Sequence, residues 1–220
     1  MAQGQQLSSV HKQLFEKVKR GEVEEVARMV RDYNIDVTVV IDEKDKFCQT
    51  PIFAAATITN HELSFRMIKL LSEMGVNPCT DDALKQTPIF YACREGNNTV
   101  VQFLIEEAKD NVNRQDKYGQ TPIYYAVREG HIRTAQLLID LGALIDQTDS
   151  KNQRPIFYAI TQNRYEMVKF LIDKGADIKT EDKKGMSPTN WAKKQGRVEI
   201  LTLLLENGGA PIADPRRPNN

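Results

Sequence analysis

The residues able to do chemistry in this 220-residue chain are three cysteines, three histidines and a large set of carboxylates. Cys48, Cys79 and Cys93 have neither the paired spacing of a zinc site nor that of a disulfide framework. His11, His61 and His131 lie far apart in the chain, so no metal cluster or nucleophile–base pair is evident around them. The sequence holds no G-x-x-x-x-G-K-[ST] phosphate cradle and no G-x-S-x-G nucleophile turn. A general acid–base pair could be drawn from the carboxylates, but the regular ones (Asp45, Asp82, Asp116, Asp149 and Asp182) recur too evenly for that. Even recurrence points to turn geometry. Asn97-Asn98-Thr99 has the form of a glycosylation acceptor, which stays unused without a secretory route. The expectation is no catalytic residue, no cofactor and no metal site.

Charge and hydropathy narrow the partners. Thirty basic and thirty acidic residues give a formal net charge of zero, which argues against nucleic acid or an anionic membrane as the partner. No segment approaches the roughly 18 apolar residues of a membrane span, and MAQGQQLSSVHKQ lacks the apolar core of a secretory signal. The expected setting is the reducing cytosol or the nucleus.

The elements that must carry any site are set by a repeat. TPIFAA, TPIFYA, TPIYYA, RPIFYA and SPTNWA begin at Thr50, Thr87, Thr121, Arg154 and Ser187, at spacings of 37, 34, 33 and 33 residues. An Asp stands five residues before each start, and an Ala (Ala55, Ala92, Ala126, Ala159, Ala192) five residues after it. Leu104, Leu138, Leu171 and Leu204 share one later phase, and Leu71 comes four residues late. Asp116-Lys117-Tyr118-Gly119 reads as a turn. Thr121 can cap a helix whose first residue is Pro122. Ile123, Ala126 and Val127 then form one apolar helical face, and Gly130 stops it. A second helix is predicted from about Ile132 to Leu141. Helices of about 8–10 residues are marginal alone in water, so such units must stack.

This pattern resembles the ankyrin repeat, and the resemblance covers about residues 8 to 211. It implies an all-α solenoid of helix-turn-helix units with short β-turn or hairpin fingers. The expected organisation is a short disordered start (1–7) and one repeat domain (8–211). That domain divides into a cap at 8–41 and repeats at about 42–78, 79–112, 113–145, 146–178 and 179–211. A disordered tail follows at 212–220. The last helix, about Arg197 to Asn207, is expected to be a charged terminal cap.

Departures from the family pattern are as informative as the matches. The motif's His is replaced by Phe53, Phe90, Tyr124, Phe157 and Asn190, so aromatic packing has to tie neighbouring repeats. Cys48, Lys85 and Asn152 stand where Gly is usual, and those turns are expected to be distorted. The four extra residues of the first repeat are expected between its helices, in TITNHELSF. One further extra residue falls near Ala108-Lys109-Asp110.

The family resemblance implies that the turn tips and the concave helix face bind a partner protein. Residues between each turn Asp and the Thr-Pro start are expected to point outward. They include Lys46, Phe47, Gln49, Leu84, Gln86, Lys117, Tyr118, Gln120, Lys151, Gln153, Lys183 and Lys184. Phe47, Leu84 and Tyr118 share a phase, and apolar tips of this kind either mark an interface or fold back on the neighbouring turn. Arg94 and Arg128 join the surface from the ends of the first helices, as recognition residues or as solvated ion pairs. Two roles fit the aromatic row Tyr91, Tyr125, Tyr158 and Trp191: packing between repeats, or a part-exposed ladder facing a ligand. The expected function is a monomeric, non-catalytic adaptor or scaffold for another protein. The alternative is a regulatory or targeting arm of a larger enzyme or channel.

Overall fold

The computed structural model describes residues 2–40, 47 and 49–210. Among these residues there are twelve helices and no strand, in six consecutive pairs. They are α1 (Ala2–Lys19) with α2 (Val23–Asp32), α3 (Pro51–Ala56) with α4 (His61–Glu73), and α5 (Pro88–Glu95) with α6 (Asn98–Glu106). Then come α7 (Pro122–Glu129) with α8 (Ile132–Asp140), α9 (Pro155–Thr161) with α10 (Tyr165–Asp173), and α11 (Pro188–Lys194) with α12 (Val198–Glu206). The chain forms two compact units, residues 1–117 and 118–220.

In each unit the pairs stack in two layers. In the first unit α1, α3 and α5 pack in series, and α2, α4 and α6 form the second layer. In the second unit α7, α9 and α11 pack in series beside α8, α10 and α12. The sequence dictates this because the first helices from α3 to α11 each carry a fully buried Ala at one phase: Ala55, Ala92, Ala126, Ala159 and Ala192. A methyl group there lets neighbouring helices approach closely, while Leu104, Leu138, Leu171 and Leu204 fill the space between layers. Burying one such leucine contributes about 2 kcal/mol, which these short helices cannot obtain in isolation.

The first helices from α3 to α11 begin with Pro at the N-terminus after a residue in extended backbone: Thr50, Thr87, Thr121, Arg154 or Ser187. Only Ser187 uses its side chain as a cap, accepting the Asn190 N–H at 3.2 Å. Thr121 takes the cap position without a capping bond. The Thr87 hydroxyl instead donates to Asp110 at 2.6 Å.

Three expectations change. The first repeat's four extra residues do not lie between its helices: α4 runs for 13 residues where α6, α8, α10 and α12 run for 9. Four residues are close to one helical turn, so the apolar face stays in phase and both Met67 and Leu71 are fully buried. The last helix is not a charged cap. In α12 the sequence VEILTLLLE leaves Val198 71% and Leu205 42% exposed. At the start of the chain, α1 begins at Ala2, ahead of the boundary expected near residue 8. The tail at 212–220 lies outside the described residues.

Candidate interaction surface

Three turns are built alike. Asp82 accepts the N–H groups of Leu84 (2.8 Å) and Gln86 (3.0 Å) on one carboxylate oxygen. Asp149 takes Lys151 (2.8 Å) and Gln153 (2.9 Å), and Asp182 takes Lys184 (2.8 Å) and Met186 (3.1 Å). The other oxygen receives an aromatic donor nine residues on: Tyr91 on Asp82 and Tyr158 on Asp149, both at 2.7 Å, and the Trp191 indole on Asp182 at 2.9 Å. Asp116 is buried like the other three turn carboxylates. Burial alone pushes the Asp182 carboxyl up, but hydrogen bonds from Trp191, Met186, Lys184 and Gln153 outweigh it and hold the group below its ordinary value. Burial, and next the hydrogen bond to Asp149, push the Tyr158 hydroxyl above its ordinary range.

The glutamines expected at the tips are internal braces. Gln86 donates to Asp116 at 2.9 Å, Gln49 to Asp82 at 3.2 Å and to Tyr91, Gln153 to Asp182 at 2.9 Å, and Gln120 to the Tyr158 hydroxyl at 2.7 Å. Each therefore links one turn to the next repeat. The sequence did carry a signal for them: Gln recurs immediately before Thr50, Thr87, Thr121 and Arg154. A freely solvated position has no reason to repeat one residue type.

The turns are also joined by single backbone bonds. Ala83 N–H donates to Phe47 (2.9 Å) and Lys117 to Leu84 (2.8 Å) in the first unit. Ser150 donates to Tyr118 (2.9 Å) and Lys183 to Lys151 (3.0 Å) in the second. The non-glycine turns are not distorted. Lys85 (φ 59°) and Asn152 (φ 58°) adopt the left-handed backbone of Gly119 (φ 76°) and Gly185 (φ 69°). Lys85 and Asn152 make the same N–H bond back to the turn Asp, at 2.9 and 3.0 Å, that Gly185 makes. At Gly119 no other residue fits, because an added Cβ would sit 2.9 Å from the Ser150 backbone nitrogen.

The aromatic row belongs to this frame. Tyr91 is only 7% and Tyr125 only 3% exposed, so neither offers a partner much surface, and Tyr158 and Trp191 are half-buried with their polar atoms engaged. Phe53 meets Tyr91 edge-to-face at 5.5 Å, and Tyr124 meets Tyr158 at 5.4 Å. Cations cover the row: Arg94 lies 4.9 Å from the Tyr91 ring centre, Arg128 4.5 Å from that of Tyr125, and Lys194 5.5 Å from that of Trp191. Arg128 also pairs with Glu129 at 3.5 Å. Tyr124 goes beyond the expected aromatic packing, because its hydroxyl lies at the carbonyls of both Gln147 and Gln153 in the following repeat.

The remaining tip residues divide by exposure. Leu84 and Phe47 are half-buried, Tyr118 is 50% exposed, and Lys85, Lys117, Lys151, Lys183 and Lys184 are exposed. Lys46 and Cys48 lie outside the described residues.

The groups that could do chemistry are set against it. Burial raises the Cys93 thiol, and burial with the nearby Asp110 charge pushes the Cys79 thiol up to about 11, so neither is a ready nucleophile. Asn97 is fully buried and caps α6 through the Val100 N–H at 3.2 Å, a geometry with no room for a glycan. Among the described residues no group of three His, Cys, Asp or Glu is placed to hold a metal ion, and no helix is long and apolar enough to cross a membrane.

A family profile described as Ankyrin repeats (3 copies) matches three overlapping stretches, residues 14–116, 63–149 and 143–216. No curated protein matched the chain.

Proposed function

Because this chain belongs to the ankyrin-repeat family, whose repeats are in general protein–protein interaction modules, we propose that it is a non-catalytic adaptor. Its turn tips and first-helix face hold a partner protein. The observation that carries this reading is the division of labour within each turn. Asp, Gln and Tyr side chains inside the stack fix the backbone, so the exposed tip side chains can be chosen for recognition. Tyr118 is the clearest case, an aromatic residue half exposed at a tip held by buried neighbours. Leu84 and Phe47 extend the apolar character in the first unit, with Lys85 and Lys117 beside them. The same reading places the protein in the cytosol or nucleus, as a monomer organised in one cap and five repeats.

The test is a lysate pull-down with wild type beside the Phe47→Ser/Leu84→Ser/Tyr118→Ser variant, analysed by mass spectrometry after circular dichroism has shown both baits to be folded. A protein captured by wild type and lost by the variant supports the tips as the binding surface. An identical partner list for both baits moves the site to the helix face around Arg94 and Arg128. Light scattering checks the monomer, and a dimer would direct attention to exposed Val198 and Leu205 on α12.

A further inference from the structure

We propose that the turn row of the second unit, Lys151, Lys183 and Lys184 with Tyr118 at its edge, docks an acidic polypeptide segment that carries an apolar side chain. This rests on the reading of the tips as the partner-facing surface and adds the chemistry of the partner. The Lys183 N–H donates to the Lys151 carbonyl at 3.0 Å, so two ammonium-bearing residues sit on directly neighbouring backbone, with Lys184 next in the chain. All three are exposed.

Two arginines of the second unit have acids beside them: Arg154 has Asp146 at 3.8 Å and Asp177 at 3.3 Å, and Arg164 has Glu129 at 4.0 Å. Among the described residues none is paired with Lys151, Lys183 or Lys184. The turn carboxylates Asp149 and Asp182 face inward and are taken up by Tyr158, Trp191, Gln153 and turn N–H groups, while the exposed Glu181 lies beside Gly185 without an ion pair to the three lysines. Like charges held on adjacent backbone repel. Three lysines gathered on neighbouring backbone favour an incoming carboxylate.

Tyr118 supplies the second component. Its carbonyl accepts the Ser150 N–H at 2.9 Å, which fixes it on the turn next to that of Lys151. An aromatic ring half in water beside a basic row matches a segment with an apolar residue among its acids. A nucleic-acid backbone is the poorer match, because phosphate binding draws on many cations and a positive surface, while this chain has a net charge of zero.

The experiment is fluorescence anisotropy on the full chain. Its probe is a fluorescein-labelled peptide of roughly eight glutamates interrupted by one leucine, titrated at about 50 mM and about 200 mM salt. Lys151→Gln/Lys183→Gln/Lys184→Gln is expected to weaken binding about tenfold or more. Arg133→Gln/Lys169→Gln/Lys174→Gln removes the same charge from the second helices and is expected to change it by about twofold or less. Circular dichroism on both variants confirms that each is folded. Equal losses in the two variants would overturn the proposal, since attraction would then be general. No binding by wild type would also overturn it, and would leave the tip reading intact if the pull-down still depends on Leu84 and Tyr118. A single-stranded oligodeoxynucleotide of equal charge that binds as tightly, and is lost in the tip variant, would reassign the row to nucleic acid.

Discussion

In the first unit, Leu84 of the Asp82 turn is half-buried, and Asp81, just ahead of that turn, is tied to Arg114 at 2.5 Å. In the second unit, Lys151 of the Asp149 turn stands exposed with no acid paired to it among the described residues. Behind those surfaces the two turns make the same bonds: two N–H groups on one Asp oxygen, a tyrosine hydroxyl on the other, and a glutamine reaching to the next repeat. The difference teaches that backbone geometry and surface chemistry are set by separate residues. A turn whose shape is held from inside can change its exposed side chains at little cost in stability, which suits a scaffold for recognition.

That separation can be broken most severely at its centre. Asp149→Ala strands the part-buried Lys151 and Gln153 N–H groups and the Tyr158 hydroxyl, and is expected to cost about 3 kcal/mol in urea unfolding. Asp81, a surface acid of the first unit, should cost only about 0.5 kcal/mol as Asp81→Ala. Equal costs would mean that the inner network does not hold the turn. Next in size is Gly119→Ala, at about 2 kcal/mol, because the methyl group meets the Ser150 backbone in a left-handed turn. Gly175 has a similar φ of 84° but open space around it, so Gly175→Ala should cost about 1 kcal/mol.

Gln153→Ala removes one brace between turns and is expected to lower stability by about 1 kcal/mol. Thermal melting of this variant beside Lys151→Gln, expected to change stability by less than about 0.5 kcal/mol, sharpens the contrast between inner and outer residues. Lys85→Gly runs the other way. It relieves a non-glycine residue at φ 59°, and a gain of about 0.5 kcal/mol is expected after the added flexibility of the unfolded chain is offset.

A last contrast lies in pH dependence and concerns Asp182. Its folded value lies below its ordinary 3.8, so its ionised form contributes stability above that pH, and the contribution fades as pH falls through the lower, folded value. Acid titration of stability should therefore be shallower below about pH 4 in Asp182→Asn than in wild type. Parallel curves would show that this carboxylate is not held by the Trp191 turn.

Much of the fold was legible in the chain. The Thr-Pro register located the start of five first helices, because proline at a helix start is a local preference that needs no neighbour. The buried Ala and Leu phases followed from the same period. The family was legible too, since three overlapping matches cover residues 14–216. The candidate surface was read less well. Gln86 and Gln120 looked like tip residues and are buried, and the tyrosine row fitted either packing or a ligand-facing ladder, while Tyr91 and Tyr158 are committed to turn carboxylates and neighbouring rings.

The division has a physical cause. By itself the sequence determined what depends on neighbours within about a helical turn: where helices start and stop, which face is apolar, and that an Asp closes each turn. Only the tertiary structure decided what depends on a residue about one repeat away. Gln153 meets Asp182, Tyr124 reaches the Gln147 and Gln153 carbonyls, and Lys151 lies against Lys183. A glutamine or a lysine at a turn is equally compatible with water and with a buried partner. The stacking of the next repeat chooses between them, burying the glutamine as a brace and leaving the lysine in solvent.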